Sequence, residues 1–358
     1  MNKKTHDQNL ISNAQNVISR PKKIAIIGEG VIGCSTALQI AESLPKAQIT
    51  IFHDNPFEKS CSAGPAGLFR IDDEKYREYG RETFSWLAKL HREKKGSETG
   101  VKLLSGHIQS DSRERLEQQE RAYGDIVYNF RWLTDRERTD LFQNSSKYCI
   151  HYTAYASEGN LYVPYLKKLL INLGVKFEQR KIESLEQLGE ESFDAVVNCA
   201  GLVAGKLAGD DDSVFPIRGV DAPWHKHFLY RDFSTFSIPK TDCVVLGSVK
   251  QEGRYETEIT DEDRQDILKR YIELHPAMKE PKILREWLGL RPFRKEIRIE
   301  AVEKTTKSGK PYTIIHHYGH GGNGFTLGWG TAKKATKLLL DSLDRSSTVN
   351  RIKLPSKL

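Results

Sequence analysis

Lys23-Ile24-Ala25-Ile26-Ile27-Gly28-Glu29-Gly30-Val31-Ile32-Gly33 is the stretch that decides the fold. Its first five residues form a short, largely β-branched apolar run, as expected of a parallel strand buried on both faces. A GxGxxG motif follows at once, and residues 34–42 continue with Ala37, Leu38 and Ala41 at helical spacing. The motif therefore lies in a strand–turn–helix context. Gly28 allows the tight turn, Gly30 lets a pyrophosphate approach the backbone, and Gly33 permits close packing of helix on strand. Phosphates would then meet the unpaired N–H groups of the helix start, around Val31 and Ile32. A second strand, Ile49-Thr50-Ile51-Phe52, is followed by Asp54, where a ribose-binding carboxylate is expected. Asp54 equally suits a turn or a helix cap. The pattern predicts a Rossmann-type dinucleotide site, without separating FAD from NAD.

The chain around this motif has 358 residues, enough for one large or two interleaved domains. Hydrophobic residues make up 38% and charged residues 29%, an ordinary balance for a globular enzyme. No apolar run approaches the roughly 18 residues needed to cross a bilayer, so no membrane span is expected. The net charge of +7 is dispersed, with Lys and Arg interleaved with Asp and Glu over residues 113–121 and 261–270. Such runs read as solvated helix faces, and no nucleic-acid partner is expected. A mild positive field favours anionic substrates and cofactors. The five cysteines are widely spaced and form no CxxC pair, so buried free thiols are expected, and no metal site.

Residues 1–21 are polar and lack the apolar core of a secretory signal; they read as a disordered extension. The Asn144-Ser145-Ser146 sequon is accordingly taken as an accident. At the far end, Ser356-Lys357-Leu358 is the receptor-read peroxisomal address. The expectation is a peroxisomal matrix protein whose partner is the import receptor.

Further elements occur in order: Ala66-Gly67-Leu68, residues 179–184 (Gln-Arg-Lys-Ile-Glu-Ser), Val196-Val197-Asn198-Cys199-Ala200-Gly201, Arg218-Gly219, Asp221-Ala222-Pro223-Trp224, Gly289-Leu290-Arg291-Pro292 and His317-Tyr318-Gly319-His320-Gly321-Gly322. Together they resemble the D-amino-acid oxidase and D-aspartate oxidase family, from about Lys23 to Leu340. The resemblance implies FAD as cofactor and oxidation of a D-amino acid to an imino acid by hydride transfer to flavin N5. The electrons pass to oxygen, so that a 2-oxo acid, ammonia and hydrogen peroxide result. In such a mechanism the protein aligns and polarises the substrate and needs no strong base.

Residue by residue, the resemblance implies that Arg291 grips the substrate α-carboxylate, for which a planar guanidinium is suited. Gly322 matches the position whose carbonyl receives the substrate ammonium group. Gly321, Gly324, Phe325 and Thr326 form the turn and helix start that face the flavin, and the helix's positive end would stabilise negative charge there. Ala66, Gly67 and Gly201 fall on further cofactor positions. Lys181 and Ile182, with Arg180, match a segment along the adenine side; charged residues after a strand are also often merely solvated. Ser60 lies where relatives carry threonines near the pyrophosphate. Arg231 aligns with an arginine that the aspartate-selective branch uses for the second carboxylate, which implies acidic substrates, D-aspartate or D-glutamate. Arg231 equally suits a surface loop. His320 is read as structural.

Two departures stand out. Phe236 occupies a position where the family usually has a carboxylate-binding tyrosine; Tyr230 is the candidate to supply that hydroxyl instead. Between Gly219 and Val220 relatives carry about four more residues, so a shift in the register of the lid strand is expected near Gly219. These departures keep open a weakly active or non-catalytic flavin-binding homologue. The residues are also compatible with an oxidase of neutral D-amino acids and, on the glycine motif alone, with an NAD-linked dehydrogenase.

The expected architecture is α/β. A Rossmann-type FAD-binding domain would be assembled from residues 22–70, 157–207 and 293–344, and a mainly antiparallel β substrate lid from residues 71–156 and 208–292. Residues 345–358 would form a tail.

Overall fold

The computed structural model describes residues 20–211, 218–222, 226–249, 259–276, 282–287, 289 and 291–352. Almost all of the amino-terminal extension, Pro223-Trp224, Leu290 and Ser356-Lys357-Leu358 lie outside the described residues.

Among the described residues the strands form two sheets. The first contains six: β1 (Lys23–Ile27), β2 (Gln48–His53), β6 (Lys176–Gln179), β7 (Ala195–Asn198), β13 (Phe293–Thr305) and β14 (Pro311–His320), in the order β13-β14-β7-β1-β2-β6. β1 pairs in parallel with β2 on one side and β7 on the other, and β13 is an antiparallel edge on β14. The apolar run of β1 is explained by its central place, because alternate side chains feed two cores. Ile24 and Ile26 pack with Ile49, Ile51, Val197 and Ile315 on one face, whereas Ala25 and Ile27 pack with Phe52, Val196 and Ile314 on the other. The helices Val31–Ser43 and Gly324–Ile352 lie together over the first of these faces.

The second sheet has eight strands: β3 (Val101–Ser110), β4 (Tyr128–Trp132), β5 (Tyr148–Ser157), β8 (Arg218–Ala222), β9 (Phe228–Arg231), β10 (Thr235–Pro239), β11 (Val244–Val249) and β12 (Arg285–Trp287). It runs β12-β8-β11-β10-β9-β3-β5-β4, and only the β3–β9 pair is parallel. The architecture is a Rossmann-type domain with a second, mainly antiparallel β domain.

The strand period of 2 sorts the second sheet into two faces. Tyr230, Phe236, Ile238 and Val245 face the first domain, while Val244 and Leu246 pack behind the sheet on Ile267 and Tyr271 of the helix Asp261–Leu274. The pairing of β8 is irregular beside Gly219 and regular beyond it. Gly219 to Ala222 pair continuously with Gly247 to Val244, and an irregularity lies between Gly247 and Val249, opposite Arg218. A bulge accommodates the odd residue without inverting the strand beyond it.

Phe236 is 5% exposed and lies across from Tyr230 on one side and Gly247 on the other. Its ring covers Gly247 so closely that a Cβ there would come within 2.3 Å of Phe236 Cζ. Gly247→Val is expected to lower stability by about 1–3 kcal/mol, the usual cost of overpacking, measured by urea unfolding. A variant as stable as the parent would contradict this ring-on-backbone packing.

Candidate active site

A cavity of about 900 Å³ runs from the carboxyl ends of β1 and β2 to the inner face of the second sheet. Open parallel sheets bind ligands at such a crevice, where neighbouring strands lead off in opposite directions. At its nucleotide end lie Gly28, Gly30, Val31 and Ile32, with Asp54 just past β2. Gly28 has φ +108°, which favours glycine, and a Cβ on it would lie 2.4 Å from the Cys199 carbonyl oxygen. Gly33 does not line the cavity. A Cβ at that position would be 1.9 Å from the Gly28 carbonyl oxygen, so its work is to let the helix Val31–Ser43 approach β1.

The backbone N–H of Val31 donates to Ser62 Oγ at 3.0 Å, and a Cβ on Gly30 would lie 2.9 Å from the same oxygen. Ser62 is thus the hydroxyl at the helix start. Ser60, the residue singled out by sequence, lines the cavity with its Oγ buried and without a hydrogen-bond partner in the described structure. Lys181 and Ile182, just past β6, line the cavity. Lys181 pairs with Glu183 at 2.8 Å, and the Arg180 guanidinium stacks 4.4 Å from the centre of the Phe52 ring while pairing with Glu191. With these side chains engaged, backbone is what this segment offers a ligand. Ala66, Gly67 and Gly201 complete this part of the wall.

Glu29, inside the glycine motif, is marked by no sequence pattern. It is buried on the cavity wall, paired with Lys167 at 2.8 Å and 3.5 Å from His53 Nδ1. Lys167 is 138 positions away, so no local spacing announces the pair.

At the other end, the antiparallel pairing of Phe293 with His320 brings the residue just before β13 beside the turn just after β14. Gly321, at φ +53°, donates its N–H to the Pro292 carbonyl at 2.9 Å. Arg291 thereby meets Gly322: a Cβ on that glycine would lie 3.6 Å from Arg291 Nη1. None of the ion pairs among the described residues involves Arg291, which lines the cavity together with Tyr230 and Phe236. Burial pushes the Cys61 thiol up to about 11, with the Arg291 charge opposing the rise. Gly324 and Phe325 bring the start of the helix Gly324–Ile352 to the wall. Thr326 lies behind it, buried, its Oγ1 accepting the Arg70 N–H at 3.3 Å.

Arg231 is the expected residue that the structure turns away. It follows Tyr230 directly on β9, so with Tyr230 facing the cavity its side chain takes the other face. There it donates to the Asn144 carbonyl and is not part of the cavity wall.

Glycine-bounded backbone, two helix starts and an unpartnered Ser60 hydroxyl fit a dinucleotide, and the unpaired guanidinium beside an apolar lid wall fits a small carboxylate. The chain belongs to the FAD dependent oxidoreductase family, whose pattern it matches over residues 23–338, within the D-amino-acid oxidase and D-aspartate oxidase line. It is 67% identical over 326 residues to D-aspartate oxidase 2 of Caenorhabditis briggsae, covering 90% of this chain and 98% of that one. With the human D-aspartate oxidase it shares 34% identity over 331 residues, 88% and 94% of the two chains. The crystal structure of glycine oxidase from Geobacillus kaustophilus, 19% identical, has the same fold, with a TM-score of 0.71 over 91% of this chain and 95% of that one. FAD is the cofactor. Among the described residues no group of His, Cys, Asp or Glu is placed to hold a metal, and no helix is long and apolar enough to cross a membrane.

His316, His317 and His320 are buried close to this site, bonded to Asn198, Thr36 and Thr331. Burial lowers His316 to about 4 and His320 to about 3, and drives His317 well below its ordinary value with His320 adding to the effect. Unfolding releases these rings to titrate near 6.5, so the unfolded chain binds more protons below that pH. Their stabilising contribution is full above about 6.5 and is lost as pH falls toward 3–4, each ring removing up to about 1.4 kcal/mol per pH unit. The urea midpoint is expected to fall from pH 7 to pH 5; a flat profile would contradict the neutral, buried state of these histidines.

Proposed function

We propose that the protein oxidises D-amino acids, and acidic ones (D-aspartate, D-glutamate) by preference, to the 2-oxo acid, ammonia and hydrogen peroxide. The observation that carries this reading is the Arg291 guanidinium, without an ion-pair partner among the described residues, beside Gly322 at the end of the cavity away from the nucleotide loop. Arg291 takes the α-carboxylate through parallel N–H donors. Gly322 offers the adjacent backbone, whose carbonyl receives the ammonium group. Tyr230, Phe236, Ile238 and Val245 exclude water above the α-carbon. Bound FAD supplies a hydride acceptor at flavin N5 and an outlet for the two electrons to oxygen. The start of the helix Gly324–Ile352, on the cavity wall, would set positive potential beside that cofactor. Gly28, Gly30, Ser60, Ser62 and the backbone around Lys181 would hold its nucleotide half, with Asp54 toward the ribose.

The preference for acidic substrates is supported by relatives 65–68% identical that are D-aspartate oxidases. A second reading, neutral D-amino acids, is favoured by the apolar lid wall and by Arg231 facing away. Initial peroxide release on D-aspartate, D-glutamate and D-alanine discriminates: a larger kcat/KM for D-alanine overturns the acidic preference. Arg291→Met is expected to lower kcat/KM by about a hundredfold or more through loss of a charge-assisted, two-bonded contact, with flavin content unchanged. A variant with full activity refutes the carboxylate clamp.

The product also bears on where the protein works, because peroxide is best made beside enzymes that destroy it. We infer a peroxisomal matrix location, read by an import receptor through Ser356-Lys357-Leu358. A fluorescent fusion preserving this terminus is expected in peroxisomes, and removal of the three residues should disperse it; an unchanged distribution contradicts the signal.

A further inference from the structure

Arg70 is a buried cation that neither the nucleotide loop nor the carboxylate clamp uses. Its side chain is 14% exposed and pairs with Asp72 at 2.5 Å, and Nη1 also donates to Gln119 Oε1 at 3.3 Å. Burial opposes its charge, but Asp72 beside it prevails and holds the guanidinium protonated above the ordinary arginine value. The guanidinium carbon lies 5.5 Å from the centre of the Tyr230 ring and 5.1 Å from that of Phe233. Phe233 and Asp232 have φ of +59° and +50° in the turn between β9 and β10, a conformation that a bulky residue adopts only when its surroundings enforce it. Stacking on Arg70 supplies such a constraint. On its other side Asp72 accepts a bond from Asn323 Nδ2 at 2.5 Å, in the turn that carries Gly322. Arg70 therefore joins the lid strand to the substrate turn.

The chemistry of the pair sets a direction. A guanidinium has donors and no acceptor. It cannot take the Tyr230 hydroxyl proton, which must point elsewhere, and its place over the ring fixes where that ring lies. Burial raises the Tyr230 hydroxyl above its ordinary value, and the nearby charges of Arg70 and Arg291 oppose the rise. Tyr230 lines the cavity together with Arg291. We propose that Arg70 is a positioning residue of the substrate site, which holds the Tyr230 hydroxyl so that it donates to the carboxylate gripped by Arg291. Tyr230 thereby supplies the donor that Phe236 lacks. The inference rests on the reading of Arg291 as the carboxylate clamp.

The test compares Tyr230→Phe, Arg70→Met, Arg70→Lys and the Tyr230→Phe/Arg70→Met pair with the parent holoenzyme, each checked for bound flavin by its visible spectrum. Propionate, a carboxylate without an amino group, is titrated against the flavin absorbance, and KM and kcat for D-aspartate are taken from peroxide release. Tyr230→Phe and Arg70→Met are each expected to weaken propionate about tenfold or more, the effect of one hydrogen bond to a charged group. KM should rise in parallel, with kcat at saturation within about twofold of the parent. Arg70→Lys, which keeps the charge, recovers part of the loss. In the Tyr230→Phe background Arg70→Met adds little, since its effect passes through the hydroxyl.

Parental propionate affinity in Tyr230→Phe overturns the proposal. So does an Arg70→Met effect as large in the Tyr230→Phe background as in the parent. Should Arg70→Met fail to retain flavin, Tyr230→Phe and Arg70→Lys decide: weakening in the first with a smaller effect in the second supports the proposal, and any other pattern rejects it. A parent protein that ignores propionate, or whose flavin D-aspartate does not bleach, overturns the clamp itself, a failure distinct from these.

Discussion

Close contact between the helix Val31–Ser43 and the turn after β1 is the constraint from which the rest of the site follows. With the Gly28 carbonyl oxygen 1.9 Å from where a Cβ on residue 33 would stand, only glycine allows helix and turn to touch. That contact fixes the angle at which the helix leaves the sheet, and so where its free N–H groups point. The pairing of β1 with β2 and β7 then opens the crevice directly above them. Everything that binds in the cavity is placed relative to this corner.

The substrate end is built on a different principle. No single element carries it: Arg291 precedes β13, Gly322 follows β14, and the aromatic wall belongs to β9 and β10 of the other sheet. The β13–β14 pairing turns a sequence separation of some thirty residues into a contact, and the alternation of the lid strands selects which side chains look inward. Phe236 and Tyr230 are directly opposite on adjacent strands, so they form one surface. A tyrosine lost from one strand can be answered by a tyrosine on its neighbour, because cross-strand partners share a face.

Strand alternation also explains the instructive disagreement between pattern and structure. Arg231 aligns with a family arginine by position in the chain, but facing is decided by parity, and Tyr230 takes the inward place. The shortening beside Gly219 shows the same limit. Sequence registers the shortening; the irregularity opposite Arg218 is a property of the paired strands. Arg70, Ser62 and Glu29 carry no mark in the sequence because each acts through partners remote in the chain, whereas Asp54, marked by local pattern, and Ser60, marked by the resemblance, do line the cavity.

The sequence by itself determined the dinucleotide corner, because a turn, its glycines and the flanking strand and helix are set by conformational limits acting within about twenty residues. It also determined that Arg291 and the glycines near 322 belong to one site, through a resemblance spanning most of the chain. Only the tertiary structure decided which residues of the lid face the cavity and where the buried charges find partners. Those outcomes depend on strand parity, bulges and contacts between segments remote in the chain, and no local spacing encodes them.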